Sequence, residues 1–142
     1  MTTNTNTNNM KFQTFLGESK IAFSYATLDE LRVEARRKNI FIGKNVTIGK
    51  DVVLDNAIVI EDGVIIGDGV EIEYDVEIGE NSTIAKDVIL RGGVVVGRGA
   101  CIGKNAFLSV DVELGDRVTI GSFSYIDMET VIESDRTVSA RP

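Results

Sequence analysis

One aliphatic residue returns at every sixth position between Ile42 and Ile132, with no insertion. A period of six fits neither an amphipathic helix, which repeats about every 3.6 residues, nor a lone two-faced strand, which repeats every two. A fixed short period over many units is typical of a solenoid. Three short strands per turn predict an all-β column of about five coils. The series is Ile42, Ile48, Leu54, Ile60, Ile66, Ile72, Ile78, Ile84, Leu90, Val96, Ile102, Leu108, Leu114, Ile120, Ile126 and Ile132.

A second series supports the same geometry. The position four residues after each aliphatic residue is mostly small or β-branched, as a second inward side chain in a narrow interior should be. Each strand is therefore predicted to carry two inward residues with one outward residue between them. This series reads Val46, Val52, Ile58, Val64, Val70, Val76, Ser82, Val88, Val94, Ala100, Ala106, Val112 and Val118.

The corners between strands are visible as well. A tight corner with a residue at positive φ favours Gly, Asn or Asp, and these residues occupy the position three after most aliphatic residues, with Ala57 as an interruption. The position directly after the aliphatic residue is often glycine. We therefore assign the glycines to corners. The corner residues are Asn45, Asp51, Gly63, Gly69, Asp75, Asn81, Asp87, Gly93, Gly99, Asn105 and Asp111.

The run Ile-Gly-Lys-Asn-Val-Thr at residues 42–47, repeated as Ile-Gly-Lys-Asp-Val-Val and Ile-Gly-Asp-Gly-Val-Glu, resembles the hexapeptide repeat of the left-handed parallel β-helix proteins. That group includes the hexapeptide acyltransferases and the γ-class carbonic anhydrases. The resemblance implies a left-handed parallel β-helix and trimeric assembly. It implies little about activity, because the repeat specifies a scaffold on which unrelated sites are built.

The ends of the repeat divide the chain. Residues 1–10 form a polar Thr/Asn tract that we expect to be a disordered tail, and residues 11–39 form an N-terminal cap segment with a short helix. The β-helix is predicted over residues 40–134, because Arg136 then falls at an inward position that a dry core would reject. Residues 135–142 are expected to be a C-terminal tail.

The predicted helix begins at a capping box, with Thr27 as N-cap and Glu30 three residues later. Leu28, Leu31 and Ala35 fall on one face of that helix. Its expected role is a plug on the exposed end of the solenoid, because an open end offers bare strand edges to other chains.

Charge excludes several partners. The 22 acidic and 15 basic residues give a formal net charge of −7, which argues against nucleic acid and anionic membranes as partners. The chain shows neither a long apolar run nor a secretory signal, so the expected location is cytoplasmic. Cys101 is the single cysteine and cannot form an internal disulfide.

The 142 residues include no histidine. The resemblance implies a histidine base in the acyltransferases and three histidine metal ligands in the carbonic anhydrases, and neither set carries over to this sequence. We therefore assign no catalytic residue, no metal site and no cofactor. Aspartates could act as bases by residue type, but the candidates occupy corner positions that favour Asp for backbone reasons. These candidates are Asp51, Asp75, Asp87 and Asp111.

Outward residues eighteen positions apart should stack into columns. One predicted column contains Val53, Glu71, Ile89, Phe107 and Tyr125, and contiguous apolar surface of this kind marks an interface more often than a ligand groove. We predict that Val53, Ile89, Phe107 and Tyr125 form a contact between subunits of a homo-oligomer, which the resemblance implies is a trimer.

Three functions remain open from the sequence. The chain is an oligomeric β-helix scaffold or binding module that also contacts a protein partner, or it is a hexapeptide acyltransferase that takes CoA-linked or carrier-linked acyl donors and uses a base other than histidine. As a third possibility, it is an inactive partner of such an enzyme.

Overall fold

The structure is a computed structural model that describes residues 11–140. The predicted disordered tail at residues 1–10 lies outside the described residues. In chain order the elements are β1 (Phe12–Leu16), β2 (Ile21–Tyr25), α1 (Leu28–Arg36), β3 (Ile40–Ile42), β4 (Thr47–Ile48), β5 (Val52–Leu54), β6 (Ile58–Ile60), β7 (Ile65–Ile66), β8 (Glu71–Ile72), β9 (Glu77–Ile78), β10 (Thr83–Ile84), β11 (Ile89–Leu90), β12 (Val95–Val96), β13 (Cys101–Ile102), β14 (Phe107–Leu108), β15 (Glu113–Leu114), β16 (Thr119–Ile120), β17 (Tyr125–Ile126), β18 (Val131–Ile132) and β19 (Thr137–Val138).

These strands form three sheets around one axis. Sheet A contains β1, β5, β8, β11, β14 and β17 with β2 at its edge, sheet B contains β3, β6, β9, β12, β15 and β18, and sheet C contains β4, β7, β10, β13, β16 and β19. From β3 to β19, neighbouring strands are parallel and eighteen residues apart, as in the pairing of Ile84 with Ile102, whereas β1 pairs parallel with β5 from outside the repeat and antiparallel with β2. The predicted parallel β-solenoid is confirmed. It has about six turns instead of about five, because β1 and β19 each add a strand.

Both predicted inward series lie in the core. Most of their members are nearly inaccessible to solvent, for example Ile84 and Val88 at 0% exposure. The polar exception, Ser82, is fully buried; its hydroxyl donates to the Gly97 carbonyl at 2.7 Å and accepts from the Ala100 amide at 3.1 Å. The buried hydroxyl is therefore satisfied and does not interrupt the core.

The backbone conformation is the same at corners with different residue types. The expected Gly, Asn and Asp residues have positive φ, and so do Ala57 at 56°, Arg117 at 57° and Phe123 at 64°. Hydrogen bonds to the preceding coil hold these residues, such as Phe123 N to the Lys104 carbonyl at 2.9 Å. The neighbouring coil therefore imposes the left-handed conformation on residues that do not favour it.

Glycine is needed for a different reason at the position that directly follows an aliphatic residue. They are absent from the positive-φ residues of the described chain, but a Cβ on Gly97 would lie 2.7 Å from the backbone nitrogen of Asp116. An aspartate at the facing position of the next coil accepts a hydrogen bond from the lower coil, as Asp116 does from Arg98 N at 2.9 Å. These glycines permit close approach of two coils.

The N-terminal segment packs on the first coil. Ile21, Phe23 and Tyr25 alternate along β2, which pairs antiparallel with β1, and β1 pairs parallel with β5. The aromatic residues of this segment therefore extend sheet A.

The predicted helix is confirmed together with its capping box, in which Glu30 N donates to Thr27 Oγ1 at 3.3 Å. Leu31 and Ala35 are fully buried. The guanidinium of Arg32 donates to the backbone carbonyls of Ile42 and Gly43 at the edge of the first coil. Helix α1 therefore covers the N-terminal end of sheet B. Within residues 11–140, no helix has the length and apolar character needed to cross a bilayer.

The C-terminal boundary of the coils differs from the prediction. Strand β19 (Thr137–Val138) pairs with β16, so the coils continue past residue 134 and the expected tail at 135–142 begins too early. The inward position of Arg136 does not break the strand, because its side chain is 69% exposed and lies 3.7 Å from Glu133. The last coil has no described coil above it, and the charge therefore stays in water.

We predict that Ile84→Asp unfolds the middle coils. The substitution removes a fully buried aliphatic side chain and buries an unpaired carboxylate, so we expect a loss of at least about 4 kcal/mol in the free energy of unfolding. Thermal and urea denaturation measure the change. Thr83→Asp, on the outward position of the same strand, is the matched control, and equal stability of the two variants would contradict the inward assignment.

Candidate interaction surface on sheet A

The outward residues of sheet A form one continuous column. The pairing register places Val53 beside Glu71, Glu71 beside Ile89, Ile89 beside Phe107, and Phe107 beside Tyr125. Adjacent parallel strands lie about 4.8 Å apart, so these side chains follow one another along the axis. The predicted residues are therefore aligned as expected, although Glu71 separates Val53 from the other three.

The upper part of the column is aromatic. The rings of Phe107 and Tyr125 are stacked, with centroids 5.3 Å apart and planes 14° from parallel. Tyr125 is 63% exposed, whereas Phe107 and Ile89 are half-buried. Ile89, Phe107 and Tyr125 thus form one apolar strip on a flat sheet, which we call the aromatic strip.

A charged pair flanks the strip. The guanidinium carbon of Arg91 lies 5.8 Å from the centroid of the Phe107 ring, within the range of a cation–π contact. Arg91 Nε lies 2.8 Å from Glu73 Oε2, and the other oxygen of Glu73 accepts from the Gly92 amide at 3.0 Å. The carboxylate therefore holds the guanidinium near the ring through an ion pair, while Arg91 Nε makes no hydrogen bond within the described residues.

The sequence pattern does not single out this pair, because both residues directly follow an aliphatic residue, a position that is often glycine in this chain. The signal that reveals them is the eighteen-residue spacing between Glu73 and Arg91, which puts opposite charges side by side on adjacent coils.

Two further groups belong to the same edge of sheet A. The Tyr74 ring is half exposed and covers Gly92, where an added Cβ would lie 2.6 Å from the ring. One coil below Glu73, burial raises the pKa of the Asp55 carboxyl, and the nearby charges of Glu18 and Glu73 act in the same direction. Carboxylates therefore crowd the lower part of this edge, while the aromatic strip and Arg91 occupy the upper part.

The aspartates considered as bases lie at separate corners. Asp51, Asp75, Asp87 and Asp111 have φ between 56° and 60°, in agreement with their assignment as corner residues. Asp51 and Asp87 lie between sheets C and A, and Asp75 and Asp111 lie between sheets A and B. Residues 11–140 contain no group of three or more His, Cys, Asp or Glu residues arranged to hold a metal ion. Cys101 is exposed on the outward face of β13.

A cavity of about 310 Å³ lies at the opposite end of the molecule, between α1 and β3. It is lined by Arg32, Arg36, Asn39, Ile40, Phe41 and Ile42. The Arg32 guanidinium is already engaged there, because it pairs with Asp29 at 2.7 Å in addition to the two backbone carbonyls. This cavity therefore lies at the junction between α1 and the first coil, and it is separate from the aromatic strip.

The eighteen-residue coils, the inward aliphatic series and the corner geometry define a hexapeptide-repeat parallel β-solenoid. A family model described as bacterial transferase hexapeptide (six repeats) matches residues 75–109, so the chain carries the repeat of that family. A search of curated proteins gave no match.

Solved structures with the same architecture include acetyltransferases. The acetyltransferase domain of PglB from Neisseria gonorrhoeae FA1090 in complex with acetyl coenzyme A matches at a TM-score of 0.68 and 24% identity, over 73% of this chain and 50% of that chain. The same domain in a second structure matches at a TM-score of 0.58 and 23% identity, over 73% of this chain and 53% of that chain. This chain thus spans about half the length of these domains. At these identities the likeness concerns the fold.

Proposed function

We propose that this protein is an oligomeric β-helix module with a structural or binding role, and that the aromatic strip on sheet A is its subunit contact. The observation that carries the proposal is the unbroken succession of Ile89, Phe107 and Tyr125, with Arg91 beside the Phe107 ring. Tyrosine and arginine are enriched among the few residues that carry most of the binding energy of a protein interface. The strip has both, together with a stacked second ring.

The magnitudes are adequate for an interface. Burying an aromatic side chain removes roughly 150–250 Å² from water, so covering the exposed part of Tyr125 contributes on the order of 3 kcal/mol. The ion pair of Arg91 with Glu73 fixes the guanidinium before association, which lowers the entropy lost when the contact forms. A contact of this kind needs no cofactor.

The proposed number of subunits comes from the family resemblance, which implies three copies. The net charge of −7 remains an argument against nucleic acid as a partner. The absence of histidine from the 142 residues leaves the base of the related acyltransferases without a counterpart. The missing histidine base favours a binding role over acyl transfer.

We predict that Phe107→Glu converts the oligomer to monomers, because it places a carboxylate against the Tyr125 ring and at the centre of the strip. Sedimentation velocity measures the change in mass. Val59→Glu is the matched control, since Val59 is a half-buried outward residue of sheet B, and it should leave the assembly intact. An unchanged sedimentation profile for Phe107→Glu would exclude the strip as the contact.

A second candidate function is acyl transfer from a CoA-linked or carrier-linked donor. The specific observation in its favour is the match of residues 75–109 to a family model named for transferases. The donor would then lie at a boundary between subunits, with a carboxylate in place of the histidine base.

Calorimetry with acetyl-CoA and longer acyl-CoA thioesters tests this candidate, together with an assay for released CoA thiol. The scaffold proposal predicts neither heat of binding nor thiol release. Saturable binding with a defined stoichiometry would favour the transferase instead, and loss of that binding in Phe107→Glu would place the donor at the subunit boundary.

A further inference from the structure

The aromatic strip runs along the column over three successive coils. Only a neighbour whose column runs alongside the strip can cover all three of its residues. Three copies related by a three-fold axis have parallel columns only when that axis is itself parallel to the column. In the proposed trimer, each residue therefore keeps its height along the axis from one copy to the next.

The triangular cross-section of the column limits what can cover the strip. Sheets A, B and C surround one axis, so their outward directions differ by one third of a turn. A three-fold axis rotates each copy by the same one third of a turn, and after that rotation no sheet of a neighbouring copy points straight back at sheet A. An edge between two sheets does, and only the two edges that border sheet A meet this condition.

These two edges are rows of corners on successive coils. The A–B edge consists of the corners at residues 73–76, 91–94 and 109–112, between sheets A and B. The C–A edge consists of the corners at residues 85–88 and 103–106, between sheets C and A. Both edges flank the aromatic strip, one on each side.

The A–B edge has an apolar ridge that fits the strip. The Tyr74 ring is half exposed and covers Gly92 on the next coil, and Val110, one coil further, is half-buried. Val110 follows Phe107 by three residues, so the two lie within about 1 Å of the same height, since one coil rises about 4.8 Å. The corresponding positions of the C–A edge are exposed lysines. Apolar complementarity therefore favours the A–B edge as the surface that covers the strip.

The two edges also carry opposite net charges. In the A–B edge three carboxylates outweigh one guanidinium, and in the C–A edge two lysines outweigh one aspartate. Repulsion between like charges disfavours a neighbour's C–A edge on the strip, because lysines already flank the strip there. A neighbour's A–B edge instead brings carboxylates to these lysines. The charged residues of the A–B edge are Glu73, Asp75, Arg91 and Asp111, and those of the C–A edge are Lys86, Asp87 and Lys104.

We propose that, in the trimer of the proposed function on which this contact rests, each copy places its A–B edge on the aromatic strip of the next copy. Asp111 of one copy then faces Lys104 of the next, and Asp75 faces Lys86. Both aspartates follow the ridge in the chain, so they lie on its sheet B side, away from the three-fold axis and toward the neighbour's lysines. The contact joins two different surfaces, and it closes into a ring of three.

The four charged residues are available for this pairing. Asp75, Asp111, Lys86 and Lys104 are all exposed, and none of them forms an ion pair within residues 11–140. Along the axis, Asp111 lies about 2 Å above Lys104 and Asp75 about 3 Å below Lys86, because the column rises about 4.8 Å in each coil. A lysine side chain spans these differences in height.

The test is an exchange of charges in the full chain, followed by sedimentation velocity. Asp111→Lys and Lys104→Asp should each weaken trimer formation by at least about tenfold, because each places like charges opposite one another. The double variant should recover the association of the parent chain, since the exchange restores the pair in every copy. Arg98→Asp is the matched control, because Arg98 is exposed on the edge between sheets B and C, and it should have no effect.

A second variant controls for the backbone at residue 111. Asp111 has a φ of 60°, so Asp111→Asn removes the charge and keeps a residue that tolerates this conformation. It should weaken association in the same direction as Asp111→Lys but less strongly. Thermal denaturation of each variant verifies that the coils remain folded.

The outcomes distinguish this contact from the proposed function. Loss of association in both single variants with recovery in the double variant supports the A–B edge. If Phe107→Glu gives monomers while the charge variants have no effect, or the double variant does not recover, the strip remains the contact and the A–B edge is not its partner. A parent chain that forms dimers also overturns the edge assignment, because a two-fold axis places sheet A on sheet A. A trimer that persists in Phe107→Glu would overturn both proposals.

Discussion

The structure depends on the eighteen-residue register between successive coils. Backbone hydrogen bonds such as Thr83 N to the Ala100 carbonyl at 2.8 Å repeat along the column and keep like positions above one another. Each inward residue therefore meets an inward residue, as Ile84 meets Ile102. A shift by one residue would turn every aliphatic side chain outward, so the uninterrupted period and the continuous core are two descriptions of one constraint.

The same register organises the surface. Because outward residues stack, a property shared by residues eighteen apart becomes a continuous feature, as in the aromatic strip and in the pair of Glu73 with Arg91. Further coils can lengthen the middle of the column without altering its cross-section. A coil at an end of the column lacks a neighbouring coil on one side, so other residues must cover it. Helix α1 covers the N-terminal end of sheet B.

Function is less constrained than architecture. The likeness to acetyltransferase domains concerns coils that many proteins use, and sites are added to such scaffolds independently. What distinguishes this chain is the chemistry of its outward columns, with rings, a fixed guanidinium and no imidazole. An interface needs these groups only to be aligned and exposed, while acyl transfer would also need a base placed at a boundary between subunits.

The sequence by itself determined the solenoid, the inward series, the capping box at Thr27 and the column of Ile89, Phe107 and Tyr125, because each follows from local spacing. The tertiary structure decided the rest. Phe123 takes positive φ because a neighbouring coil holds it there, and Arg136 is tolerated because nothing in the described chain covers it. Such outcomes depend on the residues eighteen positions away and on whether a coil lies above. The conformational preference of a single residue carries no information about either.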